Sequence, residues 1–382
     1  MRKHISKIII SSSLSLVLTA CGGGSGGDEA PLSDIITLPT NISFPITPIG
    51  TAVDYSKYAW SINSSTLDST YATNNNIDSD AHINMPTSTN NQKVKVAVID
   101  QGFQYNHPEI YSKVIDLKNI NQTVLTESYH GTLVSGVIAS TYLGVAPNNV
   151  ELILINIDFD NSTDADIIEA FNYAKDQGAK VINCSWGSTF DESIYSFSQQ
   201  YLNTIKSMKD AGINVVFASG NEAYDLDNNL MDESELDTVI GVGATSVLND
   251  VTDYSNYGSN IDLVAPGGGG TNLIGLLTTD LSGSNGSNNT FNLVNNYYTF
   301  TAGTSFATPT VSGVIALMLS ENPNLTPDEI RTILIETADK IQSETVTYTD
   351  LTTDSTTSTF NTKRAYGKVN AAAAVQAAID AI

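Results

Sequence analysis

Five short apolar runs, rich in β-branched residues, recur through the middle of the chain. They lie at Val94–Ile99, Glu151–Asn156, Val181–Cys184, Ile213–Phe217 and Val239–Val242. Runs of this length read as strands buried on both faces. Helical periods at Asp164–Lys175 and Tyr195–Ala211 separate them, and no hairpin signal intervenes. Strand-helix-strand alternation predicts an α/β fold: a three-layer, mostly parallel central sheet with helices on both faces. Further on, Thr326-Pro327-Asp328-Glu329 forms a capping box with proline at the first helical position, opening a helix to about Ala338. The Ser/Thr-rich run Ser343–Thr362 reads as a surface loop before a last helix from Asn370. A 41% hydrophobic content supplies a sizeable core, no internal repeat is visible, and one globular domain is expected over 51–382.

The N-terminus carries an address. Arg2, Lys3 and Lys7 precede an apolar stretch from Ile8 to Ala20. That stretch is shorter than the ~20 apolar residues a membrane span needs, and it suits the core of a signal peptide over 1–20. Leu18-Thr19-Ala20-Cys21 resembles the lipobox of bacterial lipoproteins, which implies lipidation at Cys21; the plainer alternative is a secretory signal with an incidental cysteine. Gly22 rather than aspartate after the cysteine implies the outer membrane or cell surface under the sorting rule of such lipoproteins. The chain is therefore expected to be exported to the cell envelope and to meet the membrane through its lipid anchor only. Residues 21–50, rich in Gly, Ser, Pro and Thr, read as a flexible linker.

Acidic residues outnumber basic ones by 41 to 17, a net charge of −24. A field of that sign repels phosphate backbones and argues against nucleic-acid binding. Two cysteines rule out a disulfide framework and a four-cysteine zinc site. Beyond the signal only His82, His107 and His130 remain, so a histidine-dependent mechanism must choose among three.

Four motifs can carry chemistry. Val94–Asp100 is a β-branched run ending in an aspartate, which sets a carboxylate at the carboxyl edge of the sheet, where α/β ligand sites form. His130 precedes an apolar helix of small residues, where the dipole disfavours imidazolium and leaves the ring available as a base. Ser305, in Gly303-Thr304-Ser305-Phe306-Ala307-Thr308-Pro309, opens another such helix with its hydroxyl exposed and its backbone N–H unpaired. Asn221 follows the strand Val215–Ala218 and Gly220, where its amide can donate to a developing oxyanion. Taken singly, each has a bland alternative: a turn cap, a structural histidine, a serine N-cap, a turn residue.

In order the motifs are Asp, His, Ser, the order found in subtilisin and distinct from chymotrypsin and the α/β-hydrolases. With Leu143-Gly144-Val145-Ala146-Pro147, Val264-Ala265-Pro266-Gly267 and Tyr366-Gly367-Lys368-Val369-Asn370, the chain resembles the subtilisin-like serine proteases from roughly Tyr58 to Ile379. The resemblance implies a serine-type endopeptidase acting on proteins or peptides. Ser305 would be the nucleophile, His130 the general base and acid, Asp100 the group that orients the imidazole, and Asn221 an oxyanion donor. Ser185-Trp186-Gly187 would pair with extended substrate, and Ala218-Ser219-Gly220 would form the other wall of the pocket for the residue before the cut. A monomer needing no cofactor for catalysis is expected. The rival readings are a binding protein that kept the fold and lost catalysis, and a serine esterase without a peptide groove.

The chain departs from the family at several points. Leu133 stands where the family usually has histidine, outside the triad. Only Ser140-Thr141-Tyr142-Leu143 lies between Ala139 and Gly144, where many relatives insert a calcium loop. Glu109 keeps one ligand position, but a lone carboxylate is not a calcium site. A strong site is not expected, no residue is assigned to a metal, and a structural calcium elsewhere stays open. His107 matches a structural family position. No recognisable inhibitory propeptide fits the 36 residues between Cys21 and Tyr58. The pocket floor falls near Met231-Asp232-Glu233, which reads either as an acidic floor for a basic side chain or as a solvated loop. Cys184 reads as a buried thiol.

Overall fold

The structure is a computed structural model that describes residues 46–382 apart from 63–66, 88–89, 91, 122–128, 192–195, 282–296, 343–344 and 354–355. The signal segment and Cys21 lie outside the described residues. Ile46 is already buried, and the Ile49 N–H bonds the Asn106 carbonyl, so the packed chain begins inside the stretch expected as linker.

The strands in chain order are β1 (Val94–Asp100), β2 (Val114–Asn119), β3 (Val150–Asn156), β4 (Val181–Cys184), β5 (Phe190–Asp191), β6 (Asn214–Ala218), β7 (Leu230–Met231), β8 (Ile240–Thr245), β9 (Leu263–Pro266), β10 (Leu276–Thr279), β11 (Tyr298–Thr301), β12 (Thr349–Thr353) and β13 (Thr356–Phe360). The helices are α1 (Ser69–Asn74), α2 (His130–Ala139), α3 (Asp164–Asp176), α4 (Gln199–Asp210), α5 (Thr304–Glu321), α6 (Pro327–Thr337) and α7 (Ala371–Asp380). Seven strands form one parallel sheet in the order β2-β3-β1-β4-β6-β8-β9. Short β5 and β7 pair antiparallel beside it.

The sheet is buried on both sides because alternate side chains of each strand feed different cores. Val94, Val96 and Val98 of β1 join the core under α2, α5, α6 and α7. Ala97 and Ile99, between and beyond them, join the core under α3 and α4. α5 is buried from Thr304 to Ser320, so its sequence is apolar or small all round rather than amphipathic. The capping box expected at Thr326 is present, with Glu329 reaching back to the cap. A second one, Thr163 with Asp166, opens α3. Ser343–Thr362 is not the loop expected: β12 and β13 pair there as a hairpin, in keeping with the strand preference of threonine.

β1 lies between β3 and β4, and the chain leaves it towards opposite edges of the sheet. Such a topological switch opens a crevice at the carboxyl ends of the strands. Asp100 ends β1 there.

Candidate active site

Asp100 is 1% exposed, and its Oδ1 accepts the Gln101 N–H at 2.7 Å. Asn156, its register partner at the end of β3, accepts the Gly102 N–H at 2.8 Å and steers the chain away from the sheet. The loop then returns to α2: the N–H groups of Gly131 and Thr132 bond the carbonyls of Gln101 and Gly102. Those bonds satisfy first-turn donors that have no helical partner. They also bring His130, the first residue of α2, against Asp100. His130 Nδ1 lies 2.8 Å from Oδ1 and 3.0 Å from Oδ2. A carboxylate only accepts, so Nδ1 carries the hydrogen, and in the neutral ring Nε2 has the lone pair a base needs.

Ser305 sits in the first turn of α5. Its N-cap, Gly303, has φ 147°, a conformation that glycine alone adopts without strain. Asn221 is tied to the same turn, with its Oδ1 accepting the Thr304 N–H at 2.8 Å and the Thr304 hydroxyl at 3.1 Å. A backbone N–H can only donate, which fixes the amide flip and makes the opposite end of the Asn221 amide the NH2 donor. The His130 ring packs on Phe306, next to Ser305, with centroids 5.6 Å apart. The Ser305 hydroxyl donates to the Ser185 carbonyl at 3.0 Å, not to His130. The hydroxyl must therefore be redirected before any proton transfer to the imidazole.

These groups open on a cleft of about 190 Å³ lined by residues of 185–189, 218–224 and 304–305, with Asp232 at its floor. Ser185, Trp186, Gly187, Ala218 and Gly220 line it. Ser219 does not: it is fully buried, and its hydroxyl donates to the Asn256 carbonyl. Thr189, Glu222, Tyr224 and Thr304 line the cleft without having been singled out from sequence. Thr304 stood inside a recognised motif, while the other three carry no local signal.

The remaining titratable groups take structural places. His107 is fully buried, its Nδ1 accepting the Glu109 N–H and its Nε2 bonded to the Tyr297 carbonyl. Burial pushes its pKa down to about 4, so the ring is neutral. Glu109 spends its carboxylate on Ser140, Tyr142 and Tyr298, which donate at 2.7, 3.2 and 2.5 Å. No cluster of three or more His, Cys, Asp or Glu able to hold a metal occurs among the described residues. Burial, with the charges of Glu233 and Asp100, pushes the Cys184 thiol well above its ordinary pKa, which makes it inert as a nucleophile.

Residues 91–369 match the subtilase family, peptidase S8. A thermophilic serine proteinase from Bacillus sp. strain AK1 is 33% identical over 264 residues, 66% of this chain and 58% of that protein. Halolysin from Haloferax mediterranei is 31% identical over 267 residues, 66% of this chain and 46% of halolysin. The chain thus spans about half the length of these two relatives. Among solved structures, a protease from Pseudoalteromonas arctica superposes with a TM-score of 0.62 at 26% identity, covering 78% of this chain and 94% of that one.

Proposed function

The chain belongs to the subtilase family, and from that premise we propose that it is a serine endopeptidase acting on protein substrates through Asp100, His130 and Ser305. The observation that carries the reading is the pair of buried Asp100 and half-buried His130 at the sheet's carboxyl edge, facing the helix turn that holds Ser305 and anchors Asn221.

The Ser305 hydroxyl turns its hydrogen from the Ser185 carbonyl to His130 Nε2, and Oγ attacks the scissile carbonyl carbon as Nε2 takes the proton. Asp100 need not move to meet this charge. It is held by the Gln101 N–H and already lies within hydrogen-bond distance of Nδ1, so the imidazolium forms against a preorganised carboxylate. The oxyanion is received by the Asn221 NH2 and the Ser305 N–H, a first-turn donor without a helical acceptor. His130 passes the proton to the leaving amine, and water then repeats the sequence on the acyl-enzyme.

The N-terminal sequence supports export and lipidation at Cys21, with anchoring in the bacterial outer membrane or at the cell surface. Incorporation of labelled palmitate, lost in Cys21→Ser, tests that part. Catalysis as proposed needs only this chain's own side chains and water, and a single copy carries the whole constellation.

Fluorophosphonate labelling of the purified wild type and of Ser305→Ala tests the mechanism. Labelling confined to the wild type establishes an activated serine. A folded wild type that takes no label would overturn the reading in favour of a binding protein.

A further inference from the structure

Asp232 is not part of a solvated loop. It is 2% exposed, yet it forms the floor of the cleft that begins at Ser305. The antiparallel β5–β7 pair holds it there by pairing Phe190 with Met231, the neighbours of Thr189 and Asp232. Burying a carboxylate is costly unless it is compensated. Part of the compensation is visible: Oδ1 accepts the Ser234 N–H at 2.9 Å and the Ser234 hydroxyl at 2.6 Å, and Oδ2 accepts the Thr189 hydroxyl at 2.8 Å. A countercharge is not. Among the described residues no ion pair includes Asp232, its buried neighbour Glu233, or Glu222 at the rim. The lining contains two carboxylates and no lysine, arginine or histidine.

The wall over this carboxylate is bare. A Cβ at Gly187 would lie 3.5 and 3.6 Å from the two Asp232 oxygens, so glycine there keeps side-chain bulk off the carboxylate. Glu222 adds a second negative charge, its Oε2 held by the Asn221 N–H and the Asn256 amide at 2.8 and 2.9 Å. A guest with a positive tip would find the countercharge position vacant and the acceptor already desolvated.

We propose that this cleft is a specificity pocket for a cationic side chain, and for lysine above arginine, on the residue whose carbonyl Ser305 attacks. The ranking follows from acceptor capacity. A carboxylate offers about four lone-pair sites, and Ser234 and Thr189 fill three, which leaves one on Oδ2. An ammonium needs one such site, whereas the guanidinium fork is used fully only when it meets both oxygens. The inference rests on the endopeptidase reading for the identity of that side chain, and on the floor of the cleft for its charge.

The test is kcat/KM for a series of fluorogenic peptides that differ only before the cut, carrying Lys, Arg, Phe, Leu or Met, with wild type and Asp232→Asn. Asparagine has the same shape and can still bond Thr189 and Ser234. The expected order is Lys, then Arg, then the apolar residues at least tenfold lower, with the Lys-to-Phe ratio falling at least tenfold in Asp232→Asn. Apolar preference in the wild type, or an unchanged ratio in the variant, overturns the proposal. If Asp232→Asn does not fold, the order in the wild type decides. A protein that takes the fluorophosphonate and cleaves without cationic preference fails this inference alone. A protein that neither labels nor cleaves fails the endopeptidase reading. Binding of acetyl-lysine amide against its norleucine counterpart to Ser305→Ala, read on Trp186 fluorescence in the cleft wall, then decides the pocket: preference for lysine supports it, equal binding overturns it.

Discussion

Asp100→Asn isolates the electrostatic half of the proposed mechanism. Asparagine fills the same volume, so the 1% exposed site should keep its packing. The Gln101 N–H, now 2.7 Å from Oδ1, requires an acceptor and draws the amide oxygen to that side. The NH2 then takes the Oδ2 position, 3.0 Å from His130 Nδ1. Two donors would face each other there unless the imidazole moves its proton to Nε2, and an Nε2–H cannot accept from Ser305. Even in the productive tautomer, the imidazolium would form beside a neutral amide instead of a buried carboxylate. In a serine protease of the same constellation the equivalent change lowers kcat about 10⁴-fold, roughly 5.5 kcal/mol in the barrier at 1.36 kcal/mol per decade. The assay is kcat on one peptide substrate near neutral pH, with fluorophosphonate labelling rate as a second readout. The melting temperature provides the folding control. A kcat within tenfold of wild type, in a variant that melts normally, would refute both the tautomer argument and the role given to Asp100.

Asn221→Ala should lower kcat by about 10²–10³ with little change in KM, the cost of removing one oxyanion donor in subtilisin, a member of the same family; a raised KM with kcat unchanged would show ground-state binding instead. His107, neutral in the fold with its pKa near 4, should make the protein acid-sensitive. Between about pH 6.5 and 4 the unfolded ring takes a proton and the folded one does not, so stability is full above the window and falls as pH drops through it, by up to about 3 kcal/mol. Urea midpoints of wild type and His107→Gln across this range should converge on acidification. Glu233, which burial pushes up to about 8, acts with the opposite sign and is common to both proteins. Gly313→Ala should destabilise by roughly 1–3 kcal/mol in denaturant titration, because its Cβ would lie 2.7 Å from the Val145 Cβ in a packed core; an unchanged midpoint would show that α5 can shift.

Much of the architecture was legible because it is written in local patterns. Val94–Asp100 and Val181–Cys184 are strands because short β-branched runs buried on both faces satisfy their backbone only in a sheet interior. Thr326 and Glu329 cap α6 through contacts three residues apart, a distance the sequence displays directly. Ser343–Thr362 misled because threonine and serine suit both loops and strands, and the pairing of Thr349 with Phe360 depends on chain return, not on either residue. β10 and β11 escaped for the same reason, since Leu276 finds Thr301 across a long excursion.

The candidate site divides along the same line. The residue types and their order, with aspartate after a strand, histidine and serine at helix starts and asparagine after a strand, are properties of the sequence by itself, and they sufficed to name the family. Only the tertiary structure decided that Ser219 turns away from the cleft, that Thr304 holds the Asn221 oxygen, and that Asp232 is buried at the floor beneath Gly187. The physical reason is range. Helix caps and strand ends arise from neighbours within a few residues, whereas the burial and hydrogen bonding of a side chain depend on segments such as 187–189 and 232–234, which meet only when the sheet assembles.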